Sequence, residues 1–306
     1  MATTNTLATL PNENKLYYER VLLERLVPNL VFAKYGEKKP IPKNSGTSIN
    51  FRRFDALEPV TQALTEGVTP EGKSISVSKV EATIEQLGDY VITTDVIEMA
   101  AIDPVVEEMA DVLGEQAGQS ADKKVSGVVT AGTNVLYANG VSTAEVGVTN
   151  VMESGHIKKA VRSLRRDNVK PLEGGFYVGI IHPDVAYDIM NDPLWEDVSK
   201  YNGGKAIIEG EVGKLGGVRF VESSYAPIKA GAGASGADVY ATMIIGKGAY
   251  ALSDIENGLK PEMIIKPLGY GEDPLNQRAS VGWKLNFATA RLNELAMVRI
   301  ETGATA

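Results

Sequence analysis

Few residues in this chain are suited to chemistry, and their spacing limits what they can do. Residues 231–236, GAGASG, fit G-x-G-x-x-G, the turn that brings backbone N–H groups against a dinucleotide pyrophosphate. That chemistry needs a strand just before the glycines and a helix just after them. Here the glycines follow VRFVESSYAPIKA, where Pro227 and a polar stretch separate them from the nearest strand. DVYATMII, a β-branched alternating run, comes after. The acid expected about twenty residues further on has only Asp254 and Glu256 as candidates. GAGASG therefore reads as a surface loop of small residues. The pairs Gly213-Lys214 and Gly246-Lys247 lack the remaining residues of a phosphate cradle. A nucleotide-binding α/β enzyme stays as the alternative reading, resting on GAGASG alone.

With 2 His and 0 Cys there is no thiolate nucleophile, disulfide framework or Cys-ligated metal. His156 opens the basic segment ESGHIKKAVRSLRRDN, and His182 sits where the apolar run FYVGII meets Pro183. Neither has a G-x-S-x-G or H-E-x-x-H around it, so both are expected in structural or capping roles. Glu107, Asp111 and Glu115 line one side of a helix, but nothing supplies facing ligands, and a solvated face accounts for them. Lys158, Lys159, Arg162, Arg165 and Arg166 form a cationic face that could touch phosphate or an acidic neighbour; solvation is the plainer account. No catalytic residue, cofactor or metal is expected.

The elements that must carry these residues can be drawn from periodicity. Residues 1–14 are polar and aperiodic, and KLYYERVLLERLV places Leu16, Leu22, Leu23, Leu26 and Val27 at helical spacing before Pro28. SINFRRF and SISVSKVEATIEQL read as two long strands. In the second, Ile75 and Val77 are apolar at odd positions but Val80, Ala82 and Ile84 at even ones, which predicts a bulge near Ser78-Lys79. Between the strands, DALEPVTQALTEGVTPEGK has turn formers but little to place in a core. It is either a mobile surface hairpin or an arm lying on a neighbouring subunit.

Asp95 with Glu98 forms a cap pairing, and Asp103-Pro104 restarts a helix. Val106, Met109, Leu113, Ala117, Ala121, Val125 and Val128 then step by three or four, giving about 25 residues and a spine on the order of 40 Å long. From Phe176 strands and short helices alternate. Trp283, Leu285 and Phe287, then Ala296, Val298 and Ile300, predict two terminal strands joined by a short turn.

The 306 residues are 43% apolar, enough for a sizeable core, and the net charge of −8 argues against a strongly basic nucleic-acid-binding surface. No run of 18 apolar residues occurs and MATTNTLATLPNENK lacks a basic and an apolar region, which predicts a soluble, non-exported chain.

Four stretches resemble the major capsid proteins of tailed bacteriophages, in particular those of certain podophages. They are DPVVEEMADVLGEQAGQSADKKVSGVVTAGT, IIHPDVAYDIMNDPLWEDVSKY, GEVGKLGGVRFVES and LGYGEDPLNQRASVGWKLNFATARLNE, which together span most of residues 90–300. The resemblance implies an α+β tailed-phage capsid fold with an N-terminal arm, an extended β-hairpin loop, a peripheral domain on a spine helix, and an axial domain. The candidates are residues 1–45, 46–90, 91–150 with 275–306, and 151–274 respectively.

It also implies a structural subunit that self-assembles, as hexamers and pentamers, into an icosahedral shell around double-stranded DNA. Such a subunit is made in the host cytoplasm and found in the virion, with no membrane step and no sequence-specific DNA binding. Phe51, Arg52, Arg53, Phe54 and Lys73 are the candidate inter-subunit contacts. Portal and decoration proteins are implied partners. Because the first helix begins near Lys15, scaffolding is expected as a separate or already removed protein. Some relatives cross-link a hairpin lysine to an asparagine; Lys73 lies in the right region, but no partner motif matches and no cross-link is inferred. A β-rich adhesin or tail-fibre module is disfavoured by the spine helix and the lack of short repeats.

Overall fold

Two hydrophobic cores lie on opposite faces of one central sheet in the computed structural model, which describes residues 22, 30–40, 47–54, 57–100, 105–172, 174–193, 211–253, 261–270, 273 and 275–305. In chain order the first half contains the single turn α1 (Phe32–Tyr35), β1 (Glu37–Lys39), β2 (Ser48–Phe54), β3 (Val77–Thr83), β4 (Glu85–Thr94), α2 (Asp95–Ala100), α3 (Val105–Thr130) and β5 (Val135–Tyr137). Then come α4 (Ser154–Arg166), β6 (Tyr177–Ile181), α5 (Pro183–Met190), β7 (Glu211–Leu215), β8 (Val218–Glu222) and β9 (Ile228–Lys229). The last strands are β10 (Val239–Ile245), β11 (Tyr250–Ser253), β12 (Glu262–Lys266), β13 (Arg278–Phe287), β14 (Thr289–Arg291) and β15 (Met297–Thr302). Of the first expected helix only Leu22 is described, helical and buried; Asp103-Pro104, Asp254 and Glu256 lie outside the described residues.

The spine is α3. Ala110, Leu113, Ala117, Ala121, Val125 and Val129 form its buried stripe. The last step falls on Val129 and leaves Val128 half-buried, because the stripe keeps advancing by four residues from Val125. Five of these six residues carry side chains no larger than valine's three carbons and three are alanines, so the helix lies close on the sheet β12-β13-β4. Trp283, Leu285 and Phe287 of β13 fill the space between, and the Trp283 Nε1–H donates to Gln116 Oε1 of the spine at 3.0 Å.

The two terminal strands do not pair with each other. β13 runs in ten-residue antiparallel register with β4, from Arg278↔Thr94 to Phe287↔Glu85, while β15 enters the central sheet. Long-range partners therefore decide the pairing where the alternation alone suggested a hairpin.

Of the hairpin expected over residues 46–90, Ser48–Phe54 and Val77–Thr83 pair, with two corrections. β2 and β3 pair without a register shift from Ser48↔Thr83 to Phe54↔Val77, so no bulge interrupts them. Val80 and Ala82 face the body of the protein, and Ile75 and Val77 are exposed. The change of phase marks where the strand leaves its cover. Beyond Ile84 the chain exchanges partners, from β2 to β13, so the second long strand is two strands.

The central sheet has the order β5-β15-β10-β6-β8-β7, with β9 also on β10. Ile181, Ile244, Val298 and Ile300 face α4 and α5, whereas Val178, Ile180, Met243, Ile245 and Met297 face the spine side. Burial on both faces explains the continuous apolar runs YVGII and VYATMII. Gly179 sits within β6 because a Cβ there would lie 2.7 Å from the Phe220 ring. Since β5 and β15 belong to this sheet, it crosses the sequence divisions drawn at 150/151 and 274/275.

One buried carboxylate ties the N-terminal segment to the spine. Asp122 of α3 accepts the Ala33 N–H at 3.0 Å and also bonds to the N–H groups of Phe32 and Val31, closing the start of α1, while the Tyr250 hydroxyl donates to Phe32 O. Burial pushes this carboxyl up to about 6, against the pull of the three backbone hydrogen bonds. Its folded value lies above its unfolded value of 3.8, so the folded state holds the proton more tightly. The stability that protonation supplies is complete below the unfolded value and is lost as pH rises through about 6. In Asp122→Asn this dependence disappears. Between about pH 4 and 7 the parent should lose, relative to the variant, on the order of 2–3 kcal/mol in melting experiments. Parallel curves would show that Asp122 titrates normally.

Candidate assembly surface

The residues that could have formed a catalytic site serve local structure. The His182 imidazole caps α5, its Nδ1 accepting the Asp184 N–H at 3.3 Å, with Pro183 in the first turn. His156 Nδ1 accepts the Glu153 N–H at 3.2 Å in a reciprocal capping arrangement at the start of α4. Burial, the largest influence, keeps its pKa below the ordinary value and so keeps this nitrogen available as an acceptor. Asp111 and Glu115 are half-buried on the spine, where Glu115 accepts from Gln119 Nε2 at 3.0 Å; the Glu107 side chain lies outside the described residues. Among the described residues no group of three His, Asp or Glu could hold a metal ion.

GAGASG is a closed loop, not a cradle. Residues 234–236 form a single 3-10 turn with Ser235 at φ 56°, and the chain continues directly into β10. The Asp238 carboxylate accepts the Gly231 N–H at 2.7 Å, placing negative charge where a phosphate would have to sit. With no helix beginning there, nothing supplies the N-terminal dipole that a pyrophosphate needs.

The hairpin offers surface instead. All residues from Leu57 to Val77 are exposed, and they include Leu57, Val60, Leu64, Val68 and Ile75. Leu64 is 78% exposed and the other four are each more than half exposed, an unusual concentration of bare apolar side chains. The base of the hairpin is anchored: Ile49, Phe51 and Ala82 pack with Ala251, Ala288 and Ala290. Thus Phe51 is buried within its own chain, and Arg53 Nη1 donates to Leu292 O at 3.2 Å. Arg52 is exposed, Phe54 is 69% exposed, and Lys73 lies on the outer stretch, its Nζ donating to Glu58 O at 3.4 Å.

A second apolar surface was not singled out from the sequence. Tyr90, Val91 and Ile92 on the edge strand β4, Val96 and Ile97 on α2, and Val112 on α3 are exposed. The signal was present in DYVITTDVI, but a run of three apolar residues reads as a buried strand unless its position at a sheet edge is known. Among the described residues nothing covers either surface.

Comparison with known proteins bears directly on this arrangement. Residues 78–300 match the model of a family described as phage capsid protein. The chain belongs to that family. No curated protein matches it significantly in sequence. In fold, the capsid protein is similar to the capsid of Ralstonia phage GP4, with a TM-score of 0.73 and 15% identity over 89% of this chain and 88% of that one. The cyanophage Pam1 capsid gives 0.70 at 13% identity, covering 100% and 95%. The cyanophage P-SCSP1u capsid gives 0.66 at 17%, covering 90% and 89%. The α+β capsid fold and the role of structural shell subunit follow for this capsid protein, which is a virion component that self-assembles. Among the described residues no helix is long and apolar enough to cross a membrane.

Proposed function

We propose that the capsid protein closes an icosahedral shell of hexamers and pentamers around double-stranded phage DNA, and that the hairpin is its principal reach onto neighbouring subunits. The carrying observation is the pair of uncovered apolar surfaces, the outer hairpin and the β4–α2 edge. Each is of the kind that a stable contact of about 800 Å² per partner would bury. Heterologous contacts of this sort generate closed rings, and rings of six and five tile a closed shell. Arg52, Phe54 and Lys73 are the hairpin residues assigned to these contacts, with Phe51 and Arg53 holding the strand that presents them.

In this reading residues 1–45 are the arm, 46–90 the hairpin, 91–150 with 275–306 the peripheral domain, and 151–274 the axial domain. The central sheet welds the last two. Assembly takes place in the host cytoplasm, with a scaffolding protein and a portal as partners and a decoration protein as a further candidate. The shell encloses DNA without reading its sequence.

The test is to express the chain alone and examine it by light scattering and negative-stain electron microscopy. Shells, tubes, or five- and six-membered rings are expected. A subunit that remains a monomer or dimer at high concentration, alone and with its scaffolding partner, would overturn the reading.

A further inference from the structure

Five cations, Lys158, Lys159, Arg162, Arg165 and Arg166, fall within nine residues of α4 in a chain whose net charge is −8. All five are exposed, while Ile157, Ala160, Val161 and Leu164 of the same helix are buried against the central sheet. Four of them, Lys158, Arg162, Arg165 and Arg166, line a groove of about 490 Å³ whose remaining walls are Val161 and Gly216. The second wall comes from the tight two-residue turn between β7 and β8, where Gly216 and Gly217 have φ of 61° and 93°. Bringing this turn against α4 makes a concave cationic site out of what would otherwise be a convex helix face.

Among the described residues the only ion pair in this cluster is that of Arg166 with its chain neighbour Asp167, at 3.5 Å. The remaining charge faces solvent. A protein partner would fit the groove poorly: four of its six lining residues are cations and none is aromatic, whereas the centre of a protein interface is depleted in charge and enriched in aromatics. A polyanion fits it well. From Lys158 to Arg166 the helix rises about 12 Å, a length over which one strand of duplex DNA presents roughly three to four phosphates.

We propose that this groove binds the phosphate backbone of duplex DNA, without reading sequence. The inference rests on the reading of the shell as a DNA container and adds a specific inner contact to it. Four neutralised phosphates give a slope of about −3.6 in log affinity against log salt, so affinity falls about 150-fold between 50 and 200 mM salt. Such a contact is strong enough to order the outer layer of a packed genome, and weak enough for DNA to slide past during filling. The acidic remainder of the chain limits any stronger grip.

The experiment uses the full unassembled chain and a short fluorescein-labelled DNA duplex, read by anisotropy across a salt series. The variant K158Q/R162Q/R165Q/R166Q is compared with K38Q/K123Q/K247Q/K266Q, which removes the same charge from exposed lysines elsewhere. The groove variant should bind at least about 20-fold more weakly at 50 mM salt, with its slope flattened by about 3.6. The charge-matched variant should change less than about threefold, and two duplexes of unrelated sequence should bind alike. Should the fourfold variant fail to fold, R162Q/R165Q should flatten the slope by about 1.8.

Equal losses in the two fourfold variants would reduce the effect to net charge and overturn the proposal. So would unchanged DNA affinity in a groove variant that no longer forms shells, which would make the groove a contact between subunits. Parent chains that assemble but ignore DNA would sink this inference alone. Parent chains that bind DNA but never assemble would sink the shell reading instead.

Discussion

A capsid protein in which residues 55–76 are replaced by Asn-Gly should fold normally and form no shells. The design follows from register: Phe54 and Val77 are directly paired at the open end of the hairpin, so a two-residue turn can close it without moving either strand. Nothing described between Leu57 and Ser76 is buried, so the excision removes no core. The base remains held by Ile49, Phe51 and Ala82 against Ala251, Ala288 and Ala290, and by Arg53 on Leu292. The melting temperature should stay within about 3 °C of the parent, since surface changes away from the core usually cost less than about 0.5 kcal/mol. Particle yield, counted by electron microscopy, should fall below detection, because a subunit deprived of this reach loses a contact of about 800 Å² at each neighbour. Shells formed at parental yield would assign the hairpin no part in assembly.

Glu301→Gln should be the most destabilising of the conservative substitutions discussed. The Glu301 side chain has no exposed surface and lies 2.6 Å from Lys229 Nζ, 2.6 Å from Thr143 Oγ1 and 2.7 Å from Arg299 Nε. Arg299 in turn donates to Thr130 O and Gly132 O, the carbonyls at the end of the spine helix, which have no partner within the helix itself. The network therefore joins β15, β9, the turn at Thr143–Glu145 and the C-terminus of α3. Burial raises the Glu301 carboxyl, but hydrogen bonds from Lys229 and Thr143 and the charges of Arg299 and Lys229 outweigh it and hold it below the ordinary value of 4.5.

Gln keeps the shape but leaves two cations around an uncharged group, one of them mostly buried, a loss of about 3–5 kcal/mol. For a chain of this size that is a fall in melting temperature on the order of 10 °C. A loss under about 1 kcal/mol would mean that solvent already screens the network. The pH dependence runs opposite to that of Asp122. Glu301 contributes stability fully above its unfolded value of 4.5, and that contribution is lost as pH falls through its lower folded value. Acid should therefore weaken the β15 network while relieving the buried charge that anchors α1.

Local chemistry was legible wherever a short stretch decides its own conformation. The alternation of SINFRRF, the four-residue steps of the spine, Pro183 after His182 and the strand directly behind GAGASG each report on neighbours a few residues away. The elements they predict are present. The same locality ruled out the dinucleotide turn, since a phosphate site at a helix start must be written in adjacent residues.

Errors arose where a residue's role depends on a distant partner. The phase change at Ser78-Lys79 looked like a bulge because the sequence does not say where cover ends. Residues 85–90 read as part of the hairpin because only β13 distinguishes them. Phe51 and Phe54 look equivalent in FRRF, yet one fills a pocket of alanines and the other is bare. The cationic groove has the same origin, since α4 announces its charge but not the glycine turn that makes its face concave.

By itself the sequence determined that this protein has no thiol or disulfide chemistry, that its two histidines have structural or capping roles, and that it carries a long spine and an exposed hairpin. All of these follow from composition and from contacts within one turn or one strand. Only the tertiary structure decided which strands pair, which apolar residues remain uncovered for a neighbour, and which charges are buried together at Glu301. The decisive meetings join segments far apart in sequence, such as β4 with β13 and Thr143 and Lys229 with Glu301, and are set by the packing of two cores on one sheet.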